Sequence, residues 1–332
     1  MEKIKPFISI AIAFIAGGAY VAVTRLIFGS AARANSIYST LYSTFSLGFV
    51  FLVPLGLGAL TVFLAPKKFR TSLLYAIFVP WASAFTFSVL AAIGFWEAWI
   101  CIIMAIPIFL LMSTAGGLLM ALVFYLTRSK DSTQSSNLAL FIFLLSPYIV
   151  TPLELKIPLQ TSVRQTHQQI EINASPETVW NHIAAFPKIA PETQHESVFH
   201  WVGLPRPVEA TLSSASIGGV RRGQWEYGLA FDGIITDWKP NERFTVQLKA
   251  DTRNLAPSAA ILKEIGGEHF DMLDDSYVIE RVSDNQVILH LYSTHRLTSH
   301  FNFYGGLWTD YFMRDIQNYI LQIVKQRCEN QS

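Results

Sequence analysis

The sequence predicts two structural classes in one chain. Residues 1–155 read as an all-α bundle of membrane-spanning helices, and residues 160–332 as an α+β domain with a curved antiparallel sheet and a long C-terminal helix. Three observations predict this. Long apolar runs fill the first half. Charge is divided unevenly. After residue 165 the apolar pattern switches to a period of two and closes on an amphipathic helix.

The charge division is sharp. Residues 1–159 carry 10 Lys/Arg and 4 Asp/Glu, and residues 160–332 carry the other 15 and 20, together with all 8 His. The net charge of +1 therefore averages a basic apolar half and an acidic half at −5. An acidic domain of this kind has no basic footprint for nucleic acid, so no nucleic-acid partner is expected. Cys101 sits inside an apolar run and Cys328 near the C-terminus, so no disulfide is expected between them.

The apolar runs cover 7–28, 45–64, 72–94, 98–127 and 137–153. The first four are long enough for a hydrocarbon core of about 30 Å. The fifth, "NLALFIFLLSPYIVTPL", is shorter and holds two prolines. It either crosses or lies in the interface. Lys3 and Lys5, then Lys67, Lys68 and Arg70, then Arg128 and Lys130 fall on one side if every run crosses. The positive-inside rule makes that side, and the N-terminus, cytoplasmic. Five crossings place the C-terminal domain outside the cytoplasm, and four leave it inside. The expected setting is a bacterial inner membrane with a periplasmic C-terminal domain. "MEKIKP" and "GGAYVA" also fit a signal peptide, but the length of run one favours an uncleaved helix. No ionisable residue lies mid-run, which argues against an ion or proton path. Pro54, Pro80, Pro107 and Pro147, with "PLGLGAL" and "STAGGLL", predict kinks and close helix packing.

The second half opens with "IEINASPETVWNHIAAFPKIA", residues 170–190. Ile170 and Ile172 alternate with polar residues, as in a half-buried strand. Ser175 is a helix N-cap, Pro176 suits the first helical position, and Glu177 suits the positive helix end. Val179, Ile183 and Phe186 form one buried face, and Pro187 ends the helix. "SVFHWVG" reads as a strand. "GGVRRGQWEYGLAFDGIITDWKP" reads as two, broken near Gly223 or Gly228. "ERFTVQLKA", "DSYVIERV" and "QVILHLYSTHRL" read as three more, the last two joined at "SDN". Residues 252–267 read as a long loop, with or without a short helix in it, and 306–328 as a helix with a wide apolar stripe.

This order, with "IEINASPETVWNHIAAFPKI" and "GLAFDGIITDWKPNERF", resembles the START/Bet v 1-like (SRPBCC) superfamily over residues 165–328. Its polyketide cyclase/dehydrase-like and lipid-transport-like members look most similar. The resemblance implies a helix-grip fold, a seven-stranded sheet wrapped around the last helix with an apolar cavity between them. The loop at 252–267 departs from it, as a lid or as rim decoration. No resemblance covers residues 1–155.

Such a cavity binds apolar molecules by burial, with a few polar groups fixing orientation. The aromatic candidates for its lining are Trp201, Trp225, Phe231, Tyr292, Tyr304, Trp308, Tyr311 and Phe312; each is equally a core residue. The candidates for proton transfer are Glu226, Asp232 and His290, with His295 and Arg296 beside them. Alternation places His290, Tyr292 and Arg296 on one face of a strand and His295 on the other, without saying which face is concave. His195/His200 and His295/His300 are spaced five apart, which splits each pair across a strand, so no metal is expected. There is no HExxH, paired CxxC, G-x-S-x-G or Walker signature, and no cofactor is expected. The partners expected are the lipid bilayer and a hydrophobic small molecule or lipid. The reading that follows is membrane-anchored binding of that molecule. The alternatives are a cyclase- or dehydratase-like enzyme and a ligand-responsive sensor or assembly module.

Overall fold

A computed structural model describes residues 5–33, 46–93, 99–127, 133–154, 156–189 and 197–330. The chain divides into two compact units, Met1–Pro158 and Leu159–Ser332.

The first unit contains α1 (Lys5–Arg33), α2 (Val53–Phe63, entered through a π-helical turn at Gly48–Leu52), α3 (Leu73–Ile93), α4 (Trp99–Leu126) and α5 (Thr133–Glu154). Among the described residues four stretches are long and apolar enough to cross a membrane: Ile8–Gly29, Leu73–Ile93, Trp99–Leu126 and Gln134–Glu154. The fifth run, marginal by its sequence, is thus long enough to cross. The described helix of run two, Gly48–Phe63, is 16 residues long or about 24 Å, short of a full span. Run five extends N-terminally through polar residues into a 22-residue helix that tolerates Pro147 and Pro152.

Glycines set the spacing of this unit. A Cβ on Gly58 would stand 1.8 Å from the Ser113 carbonyl oxygen, and one on Gly116 would stand 1.9 Å from that of Leu55. The backbones of α2 and α4 therefore touch, which only glycine permits. At the other end of α2, Glu154 closes α5 by accepting from the Leu47 and Gly48 amides at 3.1 and 3.2 Å. Its carboxylate satisfies backbone donors that a helix start leaves open.

The second unit is a seven-stranded antiparallel sheet in the order β1-β7-β6-β5-β4-β3-β2. The strands are β1 (Gln160–Ile172), β2 (Pro207–Leu212), β3 (Val220–Trp225), β4 (Ala230–Lys239), β5 (Arg243–Asp251), β6 (Phe270–Ser283) and β7 (Gln286–Ser299). Between β1 and β2 lie α6 (Pro176–Ala184) and α7 (Val198–Trp201), and α8 (Asn302–Glu329) closes the chain against β1 and β7. This is the helix-grip arrangement.

Ser175 caps α6 by accepting from the Thr178 amide at 3.2 Å, with Pro176 at the helix start. Trp180 on α6 meets Trp238 edge-on at 4.8 Å and Phe244 at 5.7 Å, which pins the helix to β4 and β5. "SVFHWVG" is helical rather than extended. Asp315 of α8 accepts from the Ser197 hydroxyl and the Phe199 amide, and a carboxylate there favours a helix start. The first strand after α6 is instead "PVEATL", and the break between β3 and β4 falls at Gly228, which has φ +81°.

Candidate functional site

Register decides which side chains face α8. On β7 burial alternates through Val287, Leu289, Leu291, Ser293, His295 and Leu297, with Thr298 also buried at the strand end, so His290, Tyr292, Thr294 and Arg296 face outward. On β3, Arg221 pairs with Gly233 and faces in, while Arg222 faces out. On β6 a bulge between Met272 and Asp274 resets the alternation, so Asp275, opposite buried Ser293, points inward and Asp274 outward. Bulges commonly re-aim side chains in this way.

The inner face carries a cleft of about 50 Å³. Phe186, Ala210, Trp225, Phe231, Leu248, Met272 and Ile320 give it apolar walls, and Glu209, Arg221, Asp275 and Tyr277 interrupt them. Arg221 donates from Nε to the Ala184 carbonyl and from Nη2 to the Ile183 carbonyl, each at 3.2 Å, and so closes the C-terminus of α6. Its guanidinium lies 5.7 Å from the rings of Phe244 and Tyr277. Burial pushes the Asp275 carboxyl up to about 6. The Ser293 hydroxyl and the Arg221 charge pull it back, and Asp274 pushes it further up. Burial likewise pushes the Tyr277 phenol up to about 12.

A second polar group lies further along the same face. His295 is fully buried, with Nε2 3.2 Å from the Thr309 hydroxyl and 3.6 Å from Asp310 Oδ1. Desolvation lowers its pKa, so it is neutral near pH 7. Gln317 of α8 is buried and donates to the carbonyls of Thr166 and Leu291, each at 3.2 Å.

Among the aromatic candidates, Trp225 and Phe231 meet in the cleft, 5.9 Å apart. Phe312 is buried under α8 with Trp308 stacked on it at 5.8 Å and Tyr304 beside Trp308 at 6.4 Å, and none of the three lines the cleft. Tyr311 is half exposed, and Trp201 on α7 is 75% exposed. Tyr292 lies on the outer face, stacked on His167 at 4.3 Å.

The proton-transfer candidates fall elsewhere too, because alternation turns them away from α8. His290 faces out between His167 at 3.1 Å and Glu280 at 3.0 Å. Asp232 faces out in an ion pair with Arg222 at 2.6 Å. Glu226 follows β3 and accepts from the Arg206 amide at 2.9 Å, a structural clasp. Arg296 also faces out, donating to the carbonyls of Gly267 and Glu268. Asp275, an acid on the cleft wall, is one that sequence reasoning did not single out. Two adjacent acids give no sign of which one turns inward, and the bulge between Met272 and Asp274 sets that direction. Among the described residues no group of three or more His, Cys, Asp or Glu is placed to hold a metal.

The second unit has the seven-stranded antiparallel sheet and long closing helix of a helix-grip fold. No protein-family profile matches the chain. No curated protein matches it either. Solved structures do. A START superfamily protein from Mycobacterium smegmatis is 12% identical, with 51% of this chain and 99% of that chain covered and a TM-score of 0.35. A norcoclaurine synthase from Thalictrum flavum is 11% identical, with 51% and 96% covered and a TM-score of 0.30. XoxI from Bacillus cereus is 14% identical, with 50% and 96% covered and a TM-score of 0.31. No residue role is carried over from any of them.

Proposed function

We propose that the chain is an integral membrane protein whose C-terminal unit binds an apolar small molecule, such as a lipid, in the cleft between α8 and the sheet. The observation that carries this reading is Asp275. Its Oδ1 is enclosed and has no hydrogen-bond partner, on the wall of an otherwise largely apolar cleft. A buried carboxylate oxygen left open is costly unless a bound group completes it.

At about 50 Å³ the cleft holds little more than water, whereas small-molecule sites usually need about 300–1,000 Å³. Binding therefore requires the cleft to widen. The connection between β5 and β6 is the element suited to move. Its Leu255 and Ile265 pack against Phe231, Met272 and Met313, contacts that a ligand's apolar body can replace.

Tethering beside a bilayer raises the local concentration of a membrane-derived ligand. Topology supports an extracytoplasmic site. If α3, α4 and α5 each cross, the loops holding Lys67, Lys68 and Arg70 and holding Arg128 and Lys130 share one side, and residues from 156 onward lie on the other. The basic side is cytoplasmic by the positive-inside rule, whether or not Gly48–Phe63 crosses. If that helix crosses as well, the N-terminus is cytoplasmic.

The test is mass spectrometry of the whole protein, extracted gently and denatured to release what it holds. A stoichiometric apolar molecule, lost in Phe231→Arg, supports the reading. Protein that folds, carries nothing and takes up nothing from a lipid extract rejects it. One observation favours a second reading, an enzyme: Asp275 titrates near 6 beside Arg221 and Tyr277, as a general acid–base would. Turnover of a bound candidate that survives Asp275→Asn would eliminate that role.

A further inference from the structure

The solvent face of α8 changes character part-way along. Its exposed positions are Phe303, Leu307, Tyr311, Arg314, Asn318 and Gln322, one every three or four residues. The last three are polar, as the outer face of an amphipathic helix should be. The first three are large and apolar, with Phe303 73% and Leu307 66% exposed. They stand at i, i+4 and i+8, so they form one stripe about 12 Å long. Tyr304 and Trp308 flank it, part-exposed and in edge-on contact at 6.4 Å. Charge is balanced over the same turns. The first turn of α8 has no acid, and the first carboxylate, Asp310, is neutralised by Arg164.

The stripe also begins where the chain enters this unit. Asn302, at the start of α8, donates to the carbonyl of Gln160, the first residue of β1, at 2.6 Å. Gln160 follows Glu154, the last residue of the apolar helix α5, by six positions. A chain of six residues reaches at most about 21 Å even when fully extended. The covalent connection alone thus keeps the start of α8 within about that reach of the end of α5.

We propose that this end of α8 is an interfacial anchor. Phe303, Leu307 and Tyr311 insert among the headgroups and upper acyl chains of the bilayer that the first unit crosses, and Arg314, Asn318 and Gln322 stay in water. The anchor rests on the membrane reading of the first unit and is independent of the cleft. A bilayer interface takes up large aromatic and aliphatic side chains from one helix face, with Trp and Tyr at headgroup level. In water the same stripe leaves contiguous apolar area unburied. A second copy of the chain fits it less well, because a stable protein interface engages about 20–30 residues a side and this stripe is little more than two helical turns. The second unit is then held to the bilayer at two points, the connector and the stripe.

The test places spin labels on the full-length protein in phosphatidylcholine nanodiscs. Phe303→Cys, Leu307→Cys, Asn318→Cys and Gln322→Cys are introduced one at a time into a Cys101→Ala background, and Cys328, fully buried, stays unlabelled. All four positions are exposed, so none of the substitutions disturbs the core. Collisions with oxygen, which concentrates in lipid, are compared with collisions with a water-soluble nickel chelate. Oxygen should dominate at 303 and 307, and nickel at 318 and 322. Labels at 303 and 307 as open to nickel as those at 318 and 322 would overturn the anchor. So would labels at 303 and 307 shielded from both reagents, since protein, a second copy included, would then cover the stripe. A chain that stays soluble without lipid or detergent would overturn the membrane reading together with the anchor.

Discussion

Arg164 on β1 and Asp310 on α8 meet in a two-point ion pair, Nε to Oδ1 at 2.8 Å and Nη2 to Oδ2 at 2.5 Å. Gly306 makes room for it, since a Cβ there would stand 2.7 Å from the guanidinium carbon. The bidentate geometry is the stronger form of such a pair. Arg164 holds the Asp310 carboxyl below the usual carboxylate range. A depressed carboxyl adds stability above its unfolded pKa, and that stability is lost as pH falls through the folded value. Arg164→Gln should therefore cost about 1 kcal/mol at neutral pH and nearly nothing in strong acid, because both side chains are partly solvated. Urea titrations at several pH values, followed by tryptophan fluorescence, would check this. An equal loss at every pH would show that packing, not charge, is what the variant removes.

Asp275 carries the opposite sign. Its folded pKa of about 6 lies above the ordinary carboxyl value, so the folded state takes up its proton first as pH falls. Its ionisation opposes folding, and the unit should gain stability from this group between about pH 6 and 4. Asp275→Asn should raise stability at neutral pH by about 1–2 kcal/mol and flatten that part of the profile. A less stable asparagine variant at neutral pH would mean that the folded state stabilises the Asp275 carboxylate rather than its protonated form.

The α2–α4 contact gives a third prediction. Gly58→Ala and Gly116→Ala place a methyl group against a neighbouring backbone carbonyl and should each lower the melting temperature of the detergent-solubilised protein by several degrees. Gly18→Ala meets nothing within 4 Å and should be neutral or slightly stabilising, as alanine is in helices. Equal effects at the three sites would mean that α2 and α4 do not pack as described.

Topology makes the fourth. A reporter fused after Gln160 should be active only outside the cytoplasm, and one placed at Lys130 only inside it. Activity of both on the same side of the membrane would mean that α5 does not cross.

Much of the architecture was legible from periodicity. Ser175, Pro176 and Trp180 announced the strand-to-helix junction because capping and amphipathic spacing are local. The closing helix was legible for the same reason. The candidate site was not. "VRRG" supplies two adjacent arginines, one bracing α6 inside and one paired outside with Asp232 and Asp251. "DD" supplies two adjacent acids, one inside and one out. Identical neighbours carry no signal of direction, and a one-residue bulge reverses whatever alternation suggests.

By itself, the sequence determined that an apolar helical half precedes an α+β half, and that a capped helix and a long amphipathic helix flank the strands. These follow from the composition and period of contiguous residues. Only the tertiary structure decided that Asp275, His295 and Gln317 share one interior while Asp232, His290 and Tyr292 face away. Strand register and a bulge set those directions, and both are relations between segments distant in the chain. Side-chain direction in a sheet has a period of two, so one residue of slip exchanges inside for outside.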